Sequence, residues 1–238
     1  MLSCLAIIPG IAQTQRQSNI PLIGEMAPSF TAESTTGRLN FPEDFGRSWK
    51  ILFAHPRDFT PVCSSELLEL AFVESEFEKL GAKLVVMSTD ILDSHFAWKE
   101  ALEQIPYRGR EPIRINFPLV DDSKYNVSDM YGMTHPFAKK GKNIRGVFFI
   151  DRENRVRAIF FYPGEIGRST DEILRTLIAL QRTDDNFNIS APANWKPGEP
   201  LMVPFPNPLM LENMRSASPI YFQYTWFMTY TNDLPKED

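Results

Sequence analysis

Cysteine is nearly absent from this chain: its 238 residues include two, Cys4 and Cys63. Two cysteines cannot build a disulfide framework, and these lack the paired spacing of a zinc site. Cys63 is followed by Ser64, Ser65 and Glu66, so no Cys-x-x-Cys pair is available for dithiol exchange. Histidine is as scarce. His55, His95 and His135 show no ligand spacing with one another or with Cys63, and no metal is expected. There is no glycine-rich phosphate loop, and no cofactor is implied. Positive charge is not in excess either: 25 Lys and Arg against 30 Asp and Glu leave a net charge of -5. That balance offers no field to a nucleic-acid backbone or an acidic membrane surface. Long apolar runs are missing too. The N-terminal run MLSCLAIIPGIA ends after twelve residues, too short to cross a bilayer, and has no positive leader. Gly10 and Ala12 nevertheless stand at cleavage-site spacing. Residues 1–20 are therefore set apart as an N-terminal extension. A cytoplasmic protein is expected, with export as the alternative if this run belongs to a signal sequence starting upstream of Met1.

The composition that is present, 43% hydrophobic and 23% charged, suits a globular chain with one sizeable core and an appendage. Pro28 to Phe41 alternates in hydrophobicity around Thr36-Gly37, the pattern of a hairpin. Lys50 to His55 is a short run bounded by Pro56, the signature of a buried strand. A helix is predicted next, with Leu67, Leu70, Val73, Phe77 and Leu80 at spacings of three and four and Gly81 where a C-terminal cap belongs. Leu84 to Met87 reads as a second buried strand, closing a parallel strand-helix-strand unit. Asp93 to Leu102 follows as a helix and Pro118 to Val120 as a strand. Val147–Ile150 and Val156–Tyr162 form a hairpin joined by a polar turn, and Thr170 to Gln181 is the last helix. Strands alternating with helices, ending in a hairpin, point to an α/β sandwich with a mixed sheet over residues 21–190. From 191 the composition shifts, with prolines at 192, 197, 200, 204, 206 and 208. Beyond them Tyr221 to Trp226 regains aromatic, strand-like content, so 191–238 is read as a separate C-terminal module.

The chemistry concentrates in Pro56-Arg57-Asp58-Phe59-Thr60-Pro61-Val62-Cys63, between the first buried strand and the amphipathic helix. Thr60 suits an N-cap and Pro61 the first helical position, which places Cys63 third in the helix. The free amides and dipole of that turn favour an anionic sulfur, and a nearby arginine would favour it further. The competing reading is an inert buried cysteine, common for this residue type.

Pro56-x-x-x-Thr60-x-x-Cys63, with His55 before it, Asp121-Asp122 later and Tyr162-Pro163-x-x-x-Gly167-Arg168 after that, resembles the peroxiredoxins, and their one-cysteine subgroup in particular. The similarity runs from roughly Pro21 to Val203. It implies a thioredoxin-like three-layer sandwich with a mixed central sheet and a small C-terminal dimerisation module. It also implies a thiol-dependent peroxidase acting on hydrogen peroxide and alkyl hydroperoxides. Cys63 would be the nucleophile that becomes a sulfenic acid, Thr60 would orient the peroxide, and Pro56 would shield the sulfur from water. Arg145 matches the family's active-site arginine and Arg168 a second one. Glu66 is expected to orient an arginine, and His55 matches a histidine near the thiol in one-cysteine members. Taken singly, each arginine would be read as a surface cation, Glu66 as helix solvation and His55 as a satisfied histidine at a strand end.

No resolving cysteine is expected, because Cys4 lies in the N-terminal run. Turnover then needs an external thiol, either small like glutathione or a redoxin-type protein. The family implies a homodimer and, in some members, a ring of dimers. The lipase-like Gly-x-Ser-x-Gly of some relatives is broken here, as Gly46-Arg47-Ser48-Trp49-Lys50 ends in lysine and Pro42 replaces the partner histidine. The alternatives are a thioredoxin-fold redox carrier and a chaperone-like oligomer.

Overall fold

The computed structural model describes residues 20–135, 143–184, 188–204 and 220–232, with single positions at 206, 208 and 212. The N-terminal apolar run and Cys4 lie outside the described residues. Strands β1 (Phe30–Ala32) and β2 (Leu39–Phe41) form the expected antiparallel hairpin. β3 (Trp49–Ala54), α1 (Pro61–Lys79) and β4 (Ala82–Ser88) form the strand-helix-strand unit, with β3 and β4 parallel and Ile51 opposite Leu84. α2 (Leu92–Leu102), β5 (Leu119–Asp121) and α3 (Asn126–Met130) follow, then the hairpin β6 (Arg145–Ile150) and β7 (Val156–Tyr162), and α4 (Thr170–Asp184). The central sheet runs β5-β4-β3-β6-β7, with parallel pairs on one side of β3 and antiparallel pairs on the other.

β3 is buried along its whole length, as a central strand covered on both faces must be. Its alternation sorts the core into two layers. Ile51 and Phe53 join Leu67, Leu70 and Phe77 of α1, Trp98 of α2, and Ile173 and Leu177 of α4. Leu52 and Ala54 face the other way, onto Phe30, Leu39 and Phe41 of the first hairpin and Val127 after α3 has begun. The result is the expected three-layer, thioredoxin-like sandwich. Lys50, read as part of an apolar run, is buried but satisfied: its Nζ donates to Gly46 O at 2.7 Å and Asn154 Oδ1 at 2.5 Å.

Beyond α4, Ile189, Trp195 and Leu201 form a small cluster with Ile178 and Ala179 of α4 packed against it. The C-terminal segment therefore rests on the last helix of the sandwich where it begins. β8 (Leu201–Met202), β9 (Tyr221–Thr225) and β10 (Met228–Thr231) make a second sheet in the order β8-β10-β9. Among the described residues no helix is long and apolar enough to cross a membrane.

Candidate active site

β3 ends at Ala54 and the chain turns through His55 to Thr60 before α1 starts at Pro61. Thr60 takes the N-cap place in extended backbone, but its side chain does not cap. Its hydroxyl donates instead to Arg57 O at 2.9 Å, so the local turn takes the group that was expected to cap the helix and that the family resemblance assigned to the peroxide. Phe59, just before it, has φ of 52°, a left-handed conformation costly for a residue with a Cβ. Pro56 is buried at the start of this loop.

Cys63 stands in the first turn of α1, fully buried. Arg145, the first residue of β6, reaches across from the neighbouring strand, and its Nη1 lies 3.2 Å from Cys63 Sγ. The same nitrogen donates to Glu66 Oε2 at 2.6 Å, while Nε and Nη2 hold Gly164 O at 3.0 and 2.6 Å. Arg168 approaches Glu66 from the other end of the β7–α4 connection. Its Nε and backbone N–H both donate to Glu66 Oε1 at 2.8 Å, and its Nη2 donates to Oε2 at 2.9 Å. Nη1 of Arg168 donates to Ala54 O and Gly146 O, and its guanidinium lies 3.3 Å from the Phe53 ring centre. Burial alone would push the Glu66 carboxyl up, but the hydrogen bonds and charges of Arg168 and the charge of Arg145 hold it below the ordinary glutamate range. Burial likewise pulls the Arg168 guanidinium below the usual arginine value, against the opposing pull of Glu66.

The structure thus brings Cys63, Arg145, Glu66 and Arg168 together. It does not bond His55 to the thiol. His55 Nε2 lies 2.9 Å from Asp58 Oδ1, its Nδ1 is buried without a partner, and its ring packs 5.0 Å from Trp98. A buried carboxylate needs donors, and Asp58, three residues on, captures this one. Asp58 is also met by His95 Nδ1 and by the Ser94 hydroxyl. That network was not read from the sequence, although the signal was there: His95, Trp98 and Leu102 recur at the spacing of one helix face, and all three are buried. Trp98 Nε1 donates to Ser64 Oγ, next to Cys63. Asp121 and Asp122 serve local structure. Asp121 accepts from the Leu92 amide, and Asp122 accepts from the Val127 and Ser128 amides at the start of α3.

A buried sulfur in the first turn of a helix, against a guanidinium fixed by a carboxylate, suits a nucleophile that carries negative charge and a reaction that releases more of it. Residues 23–159 match the AhpC/TSA family, and residues 179–208 match the C-terminal domain of 1-Cys peroxiredoxin. A peroxiredoxin of Methanosarcina mazei is 40% identical over 220 residues, covering 91% of this chain and all of that protein. A 1-Cys peroxiredoxin of Dictyostelium discoideum is 36% identical, covering 78% of this chain and 74% of its own length. Among solved structures, a mutant of the peroxiredoxin 6 of Arenicola marina superposes with a TM-score of 0.79 at 31% identity, covering 91% of this chain and 99% of that one. A yeast mitochondrial 1-Cys peroxiredoxin, solved in work on thiol resolution via glutathione/thioredoxin systems, gives 0.76 at 32% identity, covering 89% and 99%.

Proposed function

The chain belongs to the AhpC/TSA family of peroxiredoxins, which are thiol-dependent peroxidases, and from that premise we propose that Cys63 is the residue that reduces hydroperoxides. The observation carrying this assignment is the 3.2 Å approach of Arg145 Nη1 to the sulfur. A cation at that distance stabilises the thiolate. The thiolate attacks the distal oxygen of the peroxide, an S–O bond forms as the O–O bond breaks, and the departing hydroxide or alkoxide takes up a proton as water or alcohol. Cys63 is left as a sulfenic acid. Arg145 faces the developing negative charge, and Glu66 with Arg168 keeps that guanidinium from swinging away. Thr60 is assigned to orient the peroxide by turning its hydroxyl from Arg57 O toward the substrate, and Pro56 to keep water off the sulfur.

Cys63 is a free cysteine, and no other cysteine falls among the described residues. Two equivalents of an external thiol are assigned to close the cycle: the first displaces water from the sulfenic acid to give a mixed disulfide, and the second releases the Cys63 thiol as the external disulfide forms. The yeast relative's glutathione/thioredoxin systems are the class of reductant assigned here. A thioredoxin-type carrier is disfavoured by Ser64-Ser65-Glu66 after Cys63. Residues 191–238 are assigned as the contact of a homodimer, and the reducing cytoplasm as the compartment that supplies the thiol.

Hydrogen peroxide consumption with dithiothreitol as reductant tests this in wild type, Cys63→Ser and Cys4→Ser. Loss of activity in Cys63→Ser alone is expected. Activity remaining in Cys63→Ser would overturn the assignment, and a requirement for Cys4 would make the enzyme a two-cysteine one.

A further inference from the structure

The loop that leads through Thr60 into α1 is anchored by a side chain that does no peroxide chemistry in the account above. Asp58 is 3% exposed and gathers donors on both carboxylate oxygens. His55 Nε2 and Ser88 Oγ reach Oδ1 at 2.9 and 3.4 Å, and Ser94 Oγ and His95 Nδ1 reach Oδ2 at 2.9 and 2.7 Å. The Asp58 backbone N–H in turn donates to Asp90 Oδ2 at 2.7 Å. Such convergence belongs to an ionised carboxylate. Burial pushes Asp58 up, but its hydrogen bonds to the two histidines hold it well below the ordinary range.

His95 is fully buried on α2 and spans two elements. Its Nε2 lies 3.0 Å from Val120 O of β5. A carbonyl and a carboxylate both accept, so each ring nitrogen faces an acceptor, Val120 O at Nε2 and Asp58 at Nδ1. One ring therefore ties the sheet edge, α2 and the active-site loop together. On either side of Asp58 the loop needs holding: Arg57 O receives the Thr60 hydroxyl, and Phe59 sits in the left-handed region. A loop held in a strained conformation persists when its surroundings over-determine it.

We infer that His95, through its hydrogen bond to Asp58, is a positioning residue for peroxide attack, fixing the loop that carries Thr60 into the first turn of α1, where Cys63 stands. The inference rests on the peroxidase reading above. It predicts which of the two His95 bonds matters. An asparagine at 95 places an amide N–H where Nδ1 stands and keeps the donor to Asp58, whereas a glutamine places one where Nε2 stands and keeps the tie to Val120 O.

The experiment is stopped-flow oxidation of Cys63 by hydrogen peroxide in the full chain, for wild type, His95→Leu, His95→Asn and His95→Gln, with near-ultraviolet circular dichroism to report the fold. Misplacing a reacting group by about 1 Å costs on the order of 100-fold, so His95→Leu should fall by about 10- to 100-fold. His95→Asn should recover most of that loss, and His95→Gln should stay close to His95→Leu. Recovery in His95→Gln equal to or better than in His95→Asn would make His95 a purely structural tie to β5 and overturn the inference, as would wild-type rates in all three. Should the His95 variants not fold, Ser94→Ala removes one donor from Asp58 at a half-buried site. A measurable fall in rate is expected there, and a wild-type rate would overturn the inference. A wild-type protein inert to peroxide would instead sink the peroxidase reading, and this inference with it.

Discussion

The side chain of Glu66 is 2% exposed and lies between two guanidinium groups that are buried to the same degree. Its place one turn after Cys63 is legible in the sequence, and so is the value of a carboxylate that can orient an arginine. That it meets two arginines, from positions 79 and 102 residues further on, is a matter of sheet topology and no helical spacing shows it. Removing one partner from a buried ionic cluster leaves uncompensated charge. Glu66→Gln should therefore lower stability by about 3 kcal/mol, measured by urea unfolding, and slow peroxide oxidation of Cys63 as Arg145 loses its brace. The pH dependence has a definite sign. The carboxyl of Glu66 lies lower in the folded state than in the unfolded one. Its stabilising contribution is therefore full above the unfolded value of about 4.3 and fades as pH falls through the depressed folded value. The stability gap between wild type and Glu66→Gln should be widest near neutrality and close in acid; a gap that persists unchanged at low pH would assign the loss to packing rather than to charge.

α1 shows why some elements are legible and others are not. Its apolar spacing runs for many turns, Pro61 opens it, and Gly81 follows its last turn with φ of 63°, so start, period and stop are all visible in the residues. A Cβ at Gly81 would meet no other atom within 4 Å, leaving backbone conformation as the only cost of a side chain there. Gly81→Ala should thus cost about 1 kcal/mol in urea unfolding while leaving the rate of peroxide oxidation unchanged; a loss well beyond that would mean the β3–β4 connection is less open than it stands. α3, in contrast, has five residues, too few to display a period, and follows Tyr125, which adopts φ of 62° without being glycine. Nothing in its composition marks it, because its start is set by Asp122 capping two of its amides from outside. The Thr60 side chain departs from expectation for a similar reason: residue type gives the cap position, but the choice between helix amides and Arg57 O is made by loop geometry.

At the scale of the whole molecule, the order of buried runs sufficed for a mixed sheet, since a helical crossover demands parallel neighbours and a short polar turn demands antiparallel ones. The C-terminal module was legible only as a change in composition. The structure gives that aromatic content a form. Phe222 and Tyr230 stack at 5.1 Å, Tyr224 meets Tyr230 edge-on at 5.6 Å, and the hairpin ends in Trp226 and Phe227. Tyr224 and Trp226 are 76% and 81% exposed, a large apolar area for one short hairpin to leave in water. In the homodimer assigned to this module, such side chains are the ones expected to dominate binding, because exposed tyrosine and tryptophan bury much area for little loss of conformational freedom. Loss of one such anchor costs about 2 kcal/mol, or roughly 30-fold in dissociation constant. Tyr224→Ser combined with Trp226→Ser should therefore shift the protein toward monomer in light-scattering chromatography run across a dilution series. The Cys63 oxidation rate should hold, because among the described residues every hydrogen-bond partner of the Cys63, Glu66 and Arg145 side chains comes from the sandwich. A doubly substituted protein that stays dimeric at the highest dilution would place the contact elsewhere on the sandwich. A parallel collapse of the oxidation rate would mean that the second subunit helps to hold the Cys63 site.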